Sequence, residues 1–452
     1  MEPQVLREIQ WAEYGQTVLH PMSIAILLAM ALFLIVTNRT YVLIPFLIVG
    51  AFLTHMQRLV IGSFDFSMLR LLMIAGVVRV AMRPDGTKMA WSRMDSVFVA
   101  YVVVASVTNV LLWQNTTAVV NRLGFAFEAL LAFFLVRSFV RSDTQVITLI
   151  RGFAFVFLAM AFFMFVEHRT GYNTFSVFGG VGQYTRIREG KLRAQGAFSH
   201  AIMAGTFGAT FLPLFWGLWW ARRGRYRHLA LIGGVSAVAI TFFSSSSGPV
   251  ISLLASIFAI AMWRFRQFTR VMRQAFVVML IVLDMVMQAR VWHLISRVDL
   301  VGGSTGWHRY NLIDNTIRRF SEWALVGVRT TGHWGWGLND VTNHFVVQAV
   351  SGGILTLIAF ILVVRWGFKS VSKAIKLDAD DLSRQKMHWA WGSVLFSHVV
   401  SFFGVSYFGQ MNFFWYLSLG VIACLPALAS RQEAEAPVRV FGGEPEPGMG
   451  TT

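Results

Sequence analysis

The chain has 452 residues, of which 56% are hydrophobic and only 13% charged, with a mean hydropathy of +0.59. Soluble domains carry about 25% charged residues, so this composition excludes a water-soluble globular protein. The net charge of +17 would suggest nucleic acid in a soluble chain. In an apolar one it is the lysine and arginine excess of short cytoplasmic loops, and no nucleic-acid partner is expected.

The first twenty residues are amphipathic and carry no cleavable signal pattern. Crossing ~30 Å of hydrocarbon takes roughly 20 apolar residues. Such runs lie near 20–37, 40–57, 65–82, 95–113, 119–137, 145–166, 200–220, 228–243, 248–263, 271–289, 344–364, 388–408 and 411–429. Only "NRT" joins the first two, so one of them is partial. The fold class predicted is an all-α, polytopic transmembrane helical bundle of 12–13 spans with a large helical exported loop. Its parts are N-terminal helices (1–166), an exported loop (167–199), further helices (200–289), the large exported loop (290–343), C-terminal helices (344–430) and a disordered cytoplasmic tail (431–452). Cys424 is the single cysteine, which excludes a disulfide within the chain. Arg70, Arg79, Glu128 and Arg151 fall inside predicted spans, where charge is costly. They are expected to face the bundle and pair, Glu128 as an internal salt-bridge partner.

Orientation follows from the loops. "ARRGRYRH" (221–228), "RFRQFTRVMR" (264–273) and the basic stretch 365–386 fall on one side in the alternating count, which makes that side cytoplasmic. Trp219, Trp220, Trp263 and Trp366 end predicted spans as interfacial anchors. "DADD" (378–381) carries a D-x-D pattern but lies in a basic linker and reads as solvated charge rather than a metal site.

Both polar inserts then face outward, and both are net positive. The first holds Arg169, Arg186, Arg188, Lys191 and Arg193. The second holds Arg290, Arg297, Arg309, Arg318, Arg319 and Arg329. Surplus guanidinium groups call for an anionic partner, since arginine matches phosphate geometry. In "GGSTGWHRYNLIDNTIRRF" (302–320), Tyr310, Ile313, Ile317 and Phe320 recur at helical spacing. Ser304 or Thr305 could cap that helix; Arg309 flanks its apolar stripe, and Arg318 and Arg319 point away. Arg309 is therefore either a site residue at a polar cavity or a snorkelling surface arginine. Arg193 precedes His200 and a small-residue helix start, so an arginine meets a helix amino end suited to phosphate. Asp340, Asn343 and His344 stand where the chain re-enters the membrane. His344 is either a proton acceptor or a helix cap. Gly352 and Gly353 would permit close helix packing.

The segments "RAQGAFSHAIMAG", "TFFSSSSGPVISLLA", "GGSTGWHRYNLI" and "DVTNHFVVQAVSGGILTLIAF", in that order across about 190–365, resemble the O-antigen ligase and Wzy-type polysaccharide polymerase family of bacterial envelope proteins. The resemblance implies a multi-pass enzyme of the bacterial inner membrane, active on its periplasmic face and without metal or other cofactor. It would move glycan from an undecaprenyl-diphosphate-linked oligosaccharide to a glycan or lipid acceptor. Membrane lipids, a chain-length regulator and a flippase of the same pathway would be its partners. By this resemblance Arg193 and Arg309 bind the diphosphate, with Asn343 and His200 in support and His344 as base, and Asp340 is the rival base. Two features depart from the family pattern. Ser247 is followed by Gly248 and Pro249 rather than an arginine, and asparagine precedes histidine at 343–344. "D-x-T-N" followed by "V-S-G-G" looks more like exopolysaccharide polymerases than ligases.

Such chemistry suits the residues. Displacing a diphosphate from a sugar C1 develops charge that pre-placed guanidiniums stabilise. The acceptor hydroxyl needs at most one weak base. No P-loop or Rossmann fingerprint supports a nucleotide substrate. A polymerase is the first reading, a ligase the second, and a transporter or flippase of lipid-linked sugar the third. Transporters carry inverted repeats and interrupted mid-membrane helices, and neither is legible in this sequence.

Overall fold

The computed structural model describes residues 16–83, 89–297 and 306–435, which form a helical bundle with two short hairpins. Helices α1 (Pro21–Val36), α2 (Ile44–Phe52), α3 (Met68–Met82), α4 (Arg93–Trp113), α5 (Thr116–Phe139) and α6 (Asp143–Thr170) precede the first insert. Helices α7 (Ala201–Trp220), α8 (Arg227–Phe243), α9 (Ser247–Ala261) and α10 (Thr269–Val286) separate the inserts. The second insert contains α11 (Gly306–Arg318) and α12 (Phe320–Trp323). Helices α13 (His344–Leu377), α14 (Leu382–Phe402) and α15 (Gln410–Glu435) complete the bundle. Seven helical segments are long and apolar enough to cross a membrane, with α9 and α10 counted as one run, and three shorter apolar helices accompany them. The chain is a multi-pass membrane protein, and every apolar run predicted from sequence contains a helix.

The corrections are local. The run predicted at 40–57 is helical over Ile44–Phe52, and the run at 65–82 becomes helical only at Met68, because β1 (Arg58–Ile61) and β2 (Phe64–Ser67) form a hairpin between them, turning at Gly62 with φ +62°. Helix α13 runs thirteen residues past the predicted end at 364. Between α9 and α10 a 3₁₀ stretch, Met262–Phe268, is kinked at Phe265. The chain turns back there, because Arg309 lies again beside the first turn of α9. Ser304, Thr305, Asp299 and most of the predicted tail lie outside the described residues.

Aromatic packing holds the centre. Phe153 stacks on Phe211 at 4.7 Å, and Phe207 lies 4.4 Å from Phe414, which ties α6, α7 and α15 together. Gly208 lets α8 approach so closely that a Cβ would sit 2.8 Å from the Ala237 carbonyl. The expected internal pair forms: Arg70 bonds Glu128 at 3.0 Å. Arg79 donates to the Thr37 carbonyl, and Arg151 lies over the Tyr226 ring.

Both inserts sit at one end of the bundle, called here the loop end. Arg193 of the first bonds Ser246 before α9, and Arg309 of the second contacts Gly248 in α9. The three basic stretches lie at the opposite, basic end. There Arg227, Lys386, Arg266 and Lys369 cover the rings of Trp219, Trp220, Trp263 and Trp366. "DADD" is only partly solvated, since Asp378 is buried between Arg384 (2.8 Å) and His388 (2.5 Å). That pairing ties the turn to the bundle, while the next three residues stay exposed.

Candidate functional site

Helices α7, α9, α13 and α15 are among those that begin at the loop end, and their amino termini point partial positive charge at it. Their caps are built from residues that contact one another's loops. His200 caps α7, its Nδ1 accepting from the Ile202 N–H. Asn343 caps α13, its Oδ1 accepting from the N–H groups of Phe345 and Val346, and its amide donates to the Phe403 carbonyl at 3.3 Å. Gln410 begins α15 and donates to the Leu53 and Ala197 carbonyls.

The amino end of α9 is where the two arginines meet. Ser245 turns the chain with φ +44°, and Ser246 follows it as N-cap. Arg193 donates from Nη2 to Ser246 Oγ at 2.6 Å, while its buried Nε has no hydrogen-bond acceptor among the described residues. Arg309, only 7% exposed, comes from α11 and passes between two glycines. A Cβ on Gly248 would lie 3.8 Å from its Nη2, and one on Gly404 would lie 3.4 Å from its Cζ. Cα atoms two positions apart in a helical turn are roughly 5 Å apart. Both guanidiniums therefore attend the same helical turn. Where the family resemblance leads one to expect an arginine after Ser247, glycine stands instead, and the space beside it holds Arg309.

The route by which Arg309 arrives corrects the sequence reading. The buried face of α11 is Arg309, Leu312 and Thr316, whereas Ile317 and Phe320 of the expected stripe are half exposed. The helix is turned so that its polar-flanked edge faces the protein. Leu312 joins Trp323, Trp334, Leu338, Val346, Ala349 and Val350 in a satellite core beneath the insert. Arg318 and Arg319 point outward as expected, and hold Asp314 and Glu322. Arg290 holds Asp284. Bonds from His333, Trp334 and Arg319 pull the Glu322 carboxyl down to about 2. These cations are occupied in staying folded.

In the first insert Glu167 is buried and accepts from the backbone N–H groups of Gln195 and Gly196 and from the Thr185 hydroxyl. This places Arg193 and His200. Burial, and then Arg193, Arg186 and Arg188, push His200 down to about 4, so its ring is neutral near pH 7.

His344 faces away from the arginines, into the bundle. Its ring stacks on Phe402 at 4.7 Å, and Nδ1 accepts from the Tyr407 N–H at 3.1 Å. A neutral ring that accepts at Nδ1 carries its proton at Nε2. The Gln348 amide 3.2 Å away must then present oxygen to it and its NH₂ to Tyr101. Beyond, Tyr407 Oη bonds His398 at 2.8 Å. His344 is thus a tautomer-locked member of a buried polar cluster. Asp340 is exposed on the surface of the second insert, and its backbone carbonyl contacts His308 Nε2 at 2.9 Å.

Sequence reading missed the turn between α14 and α15, Phe403–Gly409. This turn accepts from Asn343, flanks Arg309 at Gly404 and donates to His344 from Tyr407. Its signal was "FGVSYFGQ" (403–410), with Gly404 inside the run taken as one span to 408 and Gly409 just beyond it. Gly352 packs tightly against Thr108 as expected, but Gly353 has φ +74° and breaks α13. The insert fills the break: Ile354 N–H donates to Ala324 O, and Val328 N–H to Val350 O. Among the described residues no three His, Cys, Asp or Glu gather as a metal site. No protein-family model matches the chain, and no curated protein matches it significantly in sequence.

Proposed function

We propose that this protein is a polyprenyl-diphosphate-dependent glycosyltransferase of a bacterial inner membrane. In this reading it polymerises lipid-linked oligosaccharide repeats on the periplasmic face. The observation that carries the reading is the convergence of Arg193 and Arg309, from two separate inserts, on the amino end of α9. Arginines beside a helix amino end form a site for a dianion. The positive-inside rule sets the basic end in the cytoplasm and the loop end outside, where lipid-linked repeats would be joined.

The donor diphosphate rests against Arg193, Arg309 and the α9 N–H groups. An acceptor hydroxyl attacks the sugar C1. The bond from C1 to the phosphate oxygen breaks, and the electron pair leaves with the polyprenyl diphosphate, whose growing charge the guanidiniums stabilise. The acceptor proton goes to a weak base. The exposed carboxylate of Asp340 suits that part better than His344, whose Nδ1 is spent on the Tyr407 N–H. Among the chain's own residues no further chemistry is required.

The broken helix at Gly353 favours a transporter, because interrupted helices often line transport sites. Here the free backbone groups at the break are taken by Ala324 and Val350 rather than left to coordinate a solute. The protein reconstituted with a polyprenyl-diphosphate oligosaccharide decides the matter. Ladders of joined repeats support a polymerase, and single transfer to an added lipid acceptor indicates a ligase. Movement across the bilayer without bond formation refutes both.

A further inference from the structure

The second insert displays aromatic surface that neither the fold nor the diphosphate site uses. Along "WGWGL" (334–338) the side chains alternate. Trp334 and Leu338 are buried in the satellite core, and Trp336 between them is fully exposed. The turn that presents it is fastened. Thr331 Oγ1 donates to the Leu338 carbonyl at 2.5 Å, the Asp340 N–H donates to Gly337 O, and Gly337 takes φ +76°. Trp334 Nε1 is bonded to Glu322. A large apolar ring held in water on a rigid turn brings the fold no burial.

A second exposed ring is carried on a segment that meets this turn at His308. Trp307, 59% exposed, opens α11, packs on Tyr310 at 5.2 Å and shares with it the edge of His293. The residue after Trp307 is His308, which bonds the Asp340 carbonyl. The residue after Trp336 is Gly337, where a Cβ would lie 3.9 Å from His308 Nδ1. The two tryptophans are thus carried on segments that join at His308 and the Asp340 backbone, and the Asp340 side chain is exposed beside that junction. The residue after His308 is Arg309, on the opposite face of the same helix.

We propose that Trp307 and Trp336, with Asp340 between their segments, form an acceptor-saccharide platform outboard of the diphosphate cradle. The proposal rests on the glycosyltransferase reading. Pyranose rings present a flat face of C–H groups that stacks on indole, and a rim of hydroxyls that bonds carboxylate and amide. Exposed indoles flanking Asp340 and Asn339 supply both. Exposed aliphatic residues, which would serve a lipid surface equally well, do not accompany Trp336 on its turn, where Leu338 is buried. Continuity with Arg309 sets the direction: an acceptor sugar stacked here offers a hydroxyl to Asp340 on the side of the donor. The platform holds the sugars beyond the reacting one, and so governs how many repeats join before release.

The test replaces the native copy in the producing cell and reads polymer length. Trp336→Ala and Trp307→Ala are expected to leave polymer present but to shorten its modal length several-fold. Trp336→Tyr is expected to restore length, and Trp336→Leu is not. Fragments of the cell's own surface polysaccharide, presented to the purified full-length protein, should give saturation-transfer signals that the Trp307→Ala/Trp336→Ala double variant loses. Normal length in that double variant, or rescue by leucine, overturns the platform, the latter in favour of a lipid-facing anchor. Arg309→Ala is run in parallel. If it still makes full polymer, the glycosyltransferase reading itself has failed, whatever the tryptophans do.

Discussion

The two ends of the bundle carry the same cation in different surroundings. At the basic end, where α8 and α14 begin, α7, α9, α13 and α15 finish. Arg227, Arg266, Lys369 and Lys386 lie over tryptophan rings there. At the loop end the same helices begin. Arg193 and Arg309 are held against the start of α9, where a positive charge is disfavoured by about 0.3–1 kcal/mol. Burial adds to that cost, since Arg309 is shielded and Arg193 half-buried. The cations at the basic end cover tryptophan rings, whereas Arg193 and Arg309 meet at the amino end of α9. Arg290, Arg318 and Arg319 hold carboxylates in and beside the second insert.

The largest effect expected follows from this contrast. Arg309→Ala and Arg193→Ala should each lower transfer by about 10²–10³ at normal protein levels. Arg266→Ala and Lys369→Ala at the basic end should leave it within twofold. Equal losses at both ends, measured by polymer yield per unit of protein, would erase the distinction. A smaller effect should come from the glycines that flank the guanidinium. Gly404→Val fills the space 3.4 Å from Arg309 Cζ and should lower the rate about tenfold by moving the charge. Gly392→Ala in the same helix run, far from the arginine, is the control for activity.

The bundle was legible because apolar length is a strong signal in a chain with few charges. The convergence of Arg193 and Arg309 was legible only through resemblance. Helical spacing pointed to the stripe Tyr310–Phe320 as the buried face of α11, but Tyr310 and Ile313 are only partly buried and Ile317 and Phe320 are half exposed. A short helix packed on a loop can bury whichever edge its neighbours offer, and in α11 three residues, Arg309, Leu312 and Thr316, make that edge. Periodicity cannot report that Gly404, about a hundred residues away, leaves room for a guanidinium. The turn Phe403–Gly409 was invisible for a related reason: its polar work is done by backbone groups, which every residue carries.

The break in α13 gives a stability prediction at the same end. Gly353 at φ +74° sits against the Leu325 carbonyl, so a side chain meets both strain and a clash. Gly353→Ala should cost at least about 1–2 kcal/mol, seen as a lower melting temperature in detergent. An unchanged melting temperature would mean that the insert does not depend on docking into α13.

The smallest effect concerns pH. His200 caps α7 through an unprotonated Nδ1, and burial beside Arg193, Arg186 and Arg188 holds its folded value near 4, below an ordinary 6.5. The unfolded chain therefore binds the extra proton first as pH falls. The cap's contribution is complete above about pH 6.5 and is lost on acidification toward 4. Protonation would also set an imidazolium beside Arg193, Arg186 and Arg188. His200→Asn keeps an acceptor at the cap but cannot titrate. The melting temperature of the native protein should therefore fall more between pH 7 and pH 5 than that of His200→Asn, by a few degrees at most. Parallel curves would place the acid sensitivity of the loop end elsewhere, and would leave His200 as a cap indifferent to the arginine beside it.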